Sequence, residues 1–265
     1  MLQDNYRLDR KRHARGHGVY QLRIESSRAL GRAVHIHMQR FPCSRFFPPV
    51  EQATEDGLLA IGGHLSSDWL LDAYRHGIFP WPIFGDKEPM AWWSPDPRAI
   101  LPIGGLYVSQ RLSRTCRSDH FQVTCDQDYA GVIDGCATAE GRRGATWLTA
   151  EMIAAYQQLY ELGYAHSVEA WHDGQLVGGI YGVALGGLFA AESMFFRRRD
   201  ASKVALVHLE AHLRARGYDL FDIQMLSPHT ARLGALEIPR EEYLERLAAT
   251  VEQPVDFGQQ LESGS

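Results

Sequence analysis

The chain has 265 residues, of which 45% are hydrophobic and 22% charged, enough for one large domain or two smaller ones with a buried core. No apolar run approaches the ~20 residues of a membrane span. Cys43, Cys116, Cys125 and Cys136 form no Cys-x-x-Cys pair, and the histidines, His35-x-His37 among them, form no metal-type array, so reduced thiols, no metal and a cytoplasmic setting are expected.

The net charge of -5 is uneven: residues 1–40 hold nine Lys/Arg against three Asp/Glu, leaving -11 on the other 225. An acidic body excludes whole-chain charge as a reason to bind nucleic acid, so any such contact is local. Residues 1–38 read as a basic, disordered extension. It is either an RNA-touching arm or an upstream addition, with Met38 as an alternative start.

Residues 39–99 read as a small N-terminal domain. Phe46-Phe47-Pro48-Pro49-Val50 is rigid and extended. Gly57-Leu58-Leu59-Ala60-Ile61-Gly62-Gly63 is an apolar run between glycine turns. Ser66, Ser67 or Asp68 caps a short helix carrying Tyr74, which Gly77 closes. Ile78-Phe79-Pro80-Trp81-Pro82 and Trp92-Trp93-Ser94-Pro95-Asp96-Pro97-Arg98 hold large rings between prolines. Such rings either pack a core or form a platform for a base or an apolar side chain. Trp81 is expected in a cleft, and at least one of Trp92 and Trp93 in the core.

Residues 100–250 read as a larger α/β domain. Short helices are expected at Ser109–Arg117 and Asp128–Cys136, with a strand at Phe121–Cys125. Arg142 and Arg143 lie in a loop before Thr146-Trp147-Leu148-Thr149, and Thr149 caps a helix over Ala150–Leu162. A strand at His166–Trp171 turns through Asp173-Gly174. The runs Leu176–Ala184 and Leu188–Phe196 form a hairpin about Gly186-Gly187. A helix follows over Ala201–Arg216, capped by Asp200 or Ser202 and stopped by Gly217. The strand Tyr218–Leu226 then places Asp222 and Gln224 on one face, with Phe221, Ile223 and Met225 towards the core. Residues 251–265 read as a tail.

An acid within an apolar strand is either paired structurally or faces a cationic ligand. Glu192 is such an acid, and Asp222 on the next strand is another. On residue types alone, Asp222 and Gln224 also fit an edge strand with a wet face. The order helix, strand, hairpin, helix, strand is that of an acetyltransferase-like (GNAT-like) domain. Yet Arg197-Arg198-Arg199-Asp200 stands where a glycine loop would cradle a pyrophosphate.

The strings Gly57-Leu58-Leu59-Ala60-Ile61-Gly62-Gly63, Gly77-Ile78-Phe79-Pro80-Trp81, Trp92 to Arg98, Thr146-Trp147-Leu148-Thr149, Glu192-Ser193-Met194-Phe195 and Ala201-Ser202-Lys203 together closely resemble the leucyl/phenylalanyl-tRNA–protein transferase family, from about Phe41 to Leu247. The resemblance implies transfer of Leu, Phe or Met from tRNA to proteins with N-terminal Lys or Arg, marking them for N-end-rule degradation. It implies no cofactor and no metal. It implies that Trp81, Trp147, Ile180, Phe189 and Leu206 hold the donor, with Tyr74 a further substrate-binding candidate, and that Glu192, Asp222 and Gln224 serve the acceptor amine and the reaction.

Arg142, Arg143, Arg197 and Lys203 are the candidates for tRNA phosphates, against a plain reading as a solvated face. A monomer is expected. His64, Ala191 and Ile223 depart from the usual family residues and bear on pocket volume. The competing readings are a CoA-dependent N-acetyltransferase, a non-catalytic adaptor for basic N-termini, and an RNA-binding protein without transfer.

Overall fold

A computed structural model describes residues 43–83, 89–139 and 146–262. The expected basic extension, Arg142 and Arg143 lie outside the described residues. The small domain consists of β1 (Leu58–Ile61), α1 (Ser67–Arg75), β2 (Phe79–Pro80) and β3 (Ala91–Trp93), with its strands in the order β1-β3-β2. Ser66 is the residue that caps α1, accepting from the Trp69 amide. Trp92 and Trp93 are both buried, and Trp92 donates from its indole to the Gly62 carbonyl at 2.8 Å.

The rest is mixed α/β, as expected. It runs β4 (Arg98–Ile100), α2 (Gln110–Cys116), β5 (Gln122–Cys125), α3 (Tyr129–Thr138), α4 (Ala150–Glu161), β6 (Ala165–His172) and β7 (Gln175–Leu185). It continues with β8 (Leu188–Phe196), α5 (Ala201–Arg216), β9 (Leu220–Gln224), α6 (Pro228–Ala231), β10 (Leu236–Ile238) and α7 (Arg240–Thr250). Seven strands form one sheet in the order β10-β4-β9-β8-β7-β6-β5, and all pairings are antiparallel except β8 with β9.

The first of the two glycines between β7 and β8 is forced. Gly186 has φ +53, and a Cβ there would come within 2.4 Å of the Val251 carbonyl oxygen. Asp200 does precede α5, but with φ 68 its side chain makes no capping bond. Its carboxylate instead binds Arg111, at 2.6 and 3.0 Å.

The sheet has a core on each side. On one side α3 and α4 meet β6, β7 and β8, and their core runs without a break into the small domain through Tyr74, Phe79 and Trp92. On the other, α5 packs over β5 to β8, with Leu101, Phe189, Phe221 and Phe257 beneath it. Strand β9 lies inside the sheet, between β4 and β8, so the alternative of an edge strand with a wet face is overturned.

The chain after α7 packs back onto the body. Phe257 is 2% exposed, and its ring meets those of His166, Phe189 and His212. His212 accepts from the Glu262 amide at Nδ1 and so donates from Nε2 to the Phe257 carbonyl, at 2.9 and 2.7 Å. That arrangement uses the neutral imidazole, and burial lowers the His212 pKa in keeping with it. Phe257→Ala should therefore cost about 3–5 kcal/mol. Urea unfolding would read this as a lower midpoint at unchanged slope, and a midpoint equal to the parent's would contradict the anchoring role.

Candidate active site

Three breaks in regular strand geometry coincide. Across β7 and β8, Tyr181 pairs with Ser193 and Gly182 with Ala191, so Glu192 is the extra residue of a bulge. Across β4 and β9, Ala99 pairs with Gln224 and Ile100 with Asp222, which leaves Ile223 as a second bulge. Gln224 itself has φ 60, a left-handed conformation rare for its type. The parallel pairing of β8 with β9 runs only from Leu188/Leu220 to Ala190/Asp222. Beyond it the strands part, and bulges of this kind re-aim side chains at such openings.

Asp222 is fully buried and engaged. Arg98 donates to it from Nε at 2.9 Å and Nη2 at 2.6 Å, Tyr243 donates its hydroxyl at 2.9 Å, and the Gln224 amide donates at 2.9 Å. Arg98 also donates to the Gly77 carbonyl at 3.0 Å and lies between the rings of Phe79 and Tyr243. Burial opposes the guanidinium charge, but the Asp222 carboxylate more than offsets this, so the Arg98 pKa lies above its ordinary value.

Glu192 lies nearer the surface. Tyr74 Oη lies 2.7 Å from its Oε1 and Tyr156 Oη 2.8 Å from its Oε2, both at hydrogen-bonding distance, and Gln224 Nε2 donates to Oε1 at 3.3 Å. Burial pushes the carboxyl up, the two tyrosines pull it down, and the charge of Asp222 adds upward, for a result of about 7. Burial also holds both tyrosines well above their usual range, so they stay protonated and can donate.

Beside this cluster is a cavity of about 400 Å³. Ile180, Leu206, Leu101, Phe221 and Ile223 give it apolar walls, with Trp81 on one side and Glu192 and Gln224 also on its wall. Trp81 stacks on Trp147 at 5.1 Å and 14°. Of the face expected to be core, Phe221 is buried as expected, whereas Ile223 is a partly buried residue of the cavity wall and Met225, also on that wall, is 43% exposed.

Of the residues singled out in the sequence, Trp81, Ile180, Leu206, Glu192 and Gln224 line this space. Tyr74 backs Glu192, and Trp147 backs Trp81. Asp222 stands behind Gln224, bonded to its amide. Phe189 is buried among Tyr218, Phe221 and Phe257, away from the lining. Arg197 reaches the Leu176 carbonyl, and Lys203 lies 3.8 Å from Asp200, so neither enters the cavity.

Arg98 and Tyr156 were missed by the sequence reading. An arginine closing the aromatic- and proline-rich string from Trp92 was the available signal for the first. Tyr156 fitted the apolar register of α4 and gave none. Among the described residues, no group of His, Cys, Asp and Glu is arranged to hold a metal ion, and no helix is long and apolar enough to cross a membrane.

Two family profiles match the chain. That of the leucyl/phenylalanyl-tRNA protein transferase covers residues 100–248, and that of the same protein's N-terminal domain covers 63–96. The leucyl/phenylalanyl-tRNA–protein transferase of Aromatoleum aromaticum is 55% identical over 204 residues, spanning 76% of this chain and 85% of that one. The protein of that name from Thiobacillus denitrificans is 50% identical over 216 residues, 81% and 94% of the two chains. A solved GCN5-related N-acetyltransferase-like protein from Streptococcus suis is 13% identical with a TM-score of 0.31, covering 71% of this chain and 82% of that one, a likeness too low to bear on the argument.

Two outcomes follow from the charges. Arg98→Met leaves Asp222 buried without its cation, which should cost roughly 3–5 kcal/mol, and the double variant with Asp222→Asn should recover part of it. Equal losses in the two variants would mean that packing, not charge, is what Arg98 supplies. Glu192 has its folded pKa, about 7, above the ordinary 4.5, so the folded protein binds more protons between those values. Its stabilising share is complete below about pH 4.5 and is lost as pH rises through about 7. The melting temperature of Glu192→Gln, relative to the parent, should therefore climb by a few degrees between pH 5.5 and 8. A gap independent of pH would contradict the perturbed carboxyl.

Proposed function

The chain belongs to the leucyl/phenylalanyl-tRNA–protein transferase family, and from that premise we propose that it moves Leu, Phe or Met from aminoacyl-tRNA to proteins beginning with Lys or Arg, as a cytoplasmic monomer serving N-end-rule degradation. The observation that carries the reading is the apolar cavity whose wall also includes Glu192 and Gln224. An apolar side chain enters one end while a cationic amine meets the other. The flat pair of Trp81 and Trp147 offers a stacking surface for the terminal adenine.

The chemistry asks little of the side chains. The donor ester is already activated, and an α-amine of pKa about 7.7–8.0 is partly neutral near pH 7. The amine nitrogen attacks the ester carbonyl, the C–N bond forms, and the C–O bond to the ribose breaks. The leaving ribose oxygen takes up one proton, with a neighbouring ribose hydroxyl as relay. Holding both partners together can supply roughly 7–11 kcal/mol.

Gln224 gives its Nε2 to Glu192, which leaves its side-chain oxygen to accept from the attacking amine. Asp222 orients Gln224 through the backbone amide. Glu192 attracts the acceptor's positive terminus. An apolar slot separates side chains differing by one methylene by only ~1–3 kcal/mol, which accounts for several donors passing together. Arg197 and Lys203, both outside the cavity, are the proposed phosphate contacts, together with Arg142 and Arg143.

The CoA-dependent alternative is disfavoured by Asp200, whose carboxylate stands before α5 where a pyrophosphate would sit. The test mixes the protein with radiolabelled Leu-tRNA and a model protein starting with Arg. Label should pass to the protein, and Gln224→Ala, still folded, should slow this at least ~10-fold, the loss of one hydrogen bond in the transition state. Binding of the Arg-starting protein without any transfer from Leu-, Phe- or Met-tRNA would replace the enzyme with an adaptor.

A further inference from the structure

Glu192, Tyr74 and Tyr156 pose a problem of counting hydrogens. Three short oxygen–oxygen contacts close a ring: Tyr74 Oη to Glu192 Oε1 at 2.7 Å, Tyr156 Oη to Glu192 Oε2 at 2.8 Å, and Tyr74 Oη to Tyr156 Oη at 2.7 Å. A contact of this length between oxygens needs a hydrogen in it. The two tyrosines bring one each. If both point at an ionised carboxylate, the contact between the hydroxyls has none, and two lone pairs face each other.

A third hydrogen completes the ring, and Glu192 is where it can sit. Gln224 Nε2 donates to Oε1, which marks that oxygen as the carbonyl and Oε2 as the hydroxyl. The sequence of donors is then fixed: Glu192 Oε2 to Tyr156, Tyr156 to Tyr74, and Tyr74 back to Glu192 Oε1. Each of the three contacts then holds one hydrogen, with Oε1 accepting only, as a carbonyl oxygen does.

Resting on the function proposed above, we infer that the acceptor-free site holds this third hydrogen on Glu192, shared around a ring with Tyr156 and Tyr74, and that a cationic acceptor terminus expels it on binding. The exchange is balanced. The neutral carboxyl loses H⁺ to solvent, the resulting carboxylate pairs with the acceptor's ammonium, and both tyrosine hydrogens turn to the carboxylate. Tyr74 and Tyr156 are thus positioning residues that act through Glu192.

The surroundings fit a group that stays neutral until a cation arrives. Tyr74 comes from α1, Tyr156 from α4, Tyr181 from β7, and Gln224 and Asp222 from β9. Arg98 of β4 is a cation in reach, and it is already committed to Asp222 through two hydrogen bonds. The raised Glu192 pKa, with burial as its first cause, agrees with this.

Two measurements test the inference. Infrared difference spectra of acceptor-free protein at pH 6, parent minus Glu192→Gln, should show a protonated-carboxyl C=O band that fades as pH passes about 7. Its absence at pH 6 overturns the inference with no acceptor needed. Calorimetric titration with an Arg-starting peptide, in two buffers of different ionisation enthalpy, should show release of nearly one proton at pH 6, whereas at pH 8.5, where Glu192 is already ionised and the peptide's α-amine largely neutral, capture of the ammonium form should show uptake instead.

Tyr156→Phe breaks the ring and should move the midpoint of that release, whereas a tyrosine that merely fills space leaves it fixed. Peptide binding at pH 6 without proton release sinks the inference alone. A failure of the peptide to bind, with the infrared band present, counts instead against Glu192 as the acceptor's anchor.

Discussion

The pairing of Arg98 with Asp222 fixes more of this molecule than any other contact. Arg98 stands on β4, yet it holds the Gly77 carbonyl at the end of the small domain's helix and lies between Phe79 of β2 and Tyr243 of α7. Asp222, on β9, accepts two hydrogen bonds from Arg98 and a further one from the Gln224 backbone amide. Four parts of the chain, far apart in sequence, meet at one ion pair. Such a pair gains little net free energy over an apolar replacement, because both charges give up their water. Its value lies in direction: a guanidinium fork meets a carboxylate in few ways, so β4 and β9 cannot slide past each other without breaking it.

Irregularity is the second theme. Glu192 and Ile223 are extra residues in their ladders, and Gln224 takes a backbone conformation that its type seldom adopts. Regular β-structure would have sent these side chains to alternate faces and closed β8 against β9. The bulges and the end of parallel pairing at Ala190/Asp222 create the gap, and the tight packing around it keeps the gap open. Gly182 fits the same account, since a Cβ there would meet the Ala190 carbonyl oxygen at 2.4 Å.

Much of the fold was legible because it rests on local period and punctuation. The β7–β8 hairpin, α5 from Ala201 to Arg216 and the cap at Thr149 all follow from spacing and glycine position. The reading failed where distant partners decide. Alternation made Phe221, Ile223 and Met225 core, which holds for Phe221, but a bulge leaves no mark in composition, and Ile223 and Met225 line the cavity. Arg98 and Asp222 lie 124 residues apart, so neither announces the other. Residues after α7 resembled a tail because one aromatic, Phe257, carries their burial amid polar neighbours.

The unbroken core between the small domain and the sheet has its own consequence. Tyr74, Phe79 and Trp92 share that core with Tyr156 and Leu159 of α4, so the small domain has no seam on which to swing. Trp81, held through its carbonyl by the Trp93 indole at 2.9 Å, is therefore set in its position when the chain folds. The entropy of bringing that wall to the cavity is spent in folding and not at each turnover. Among the described residues, this wall of the cavity is thus formed before any ligand arrives.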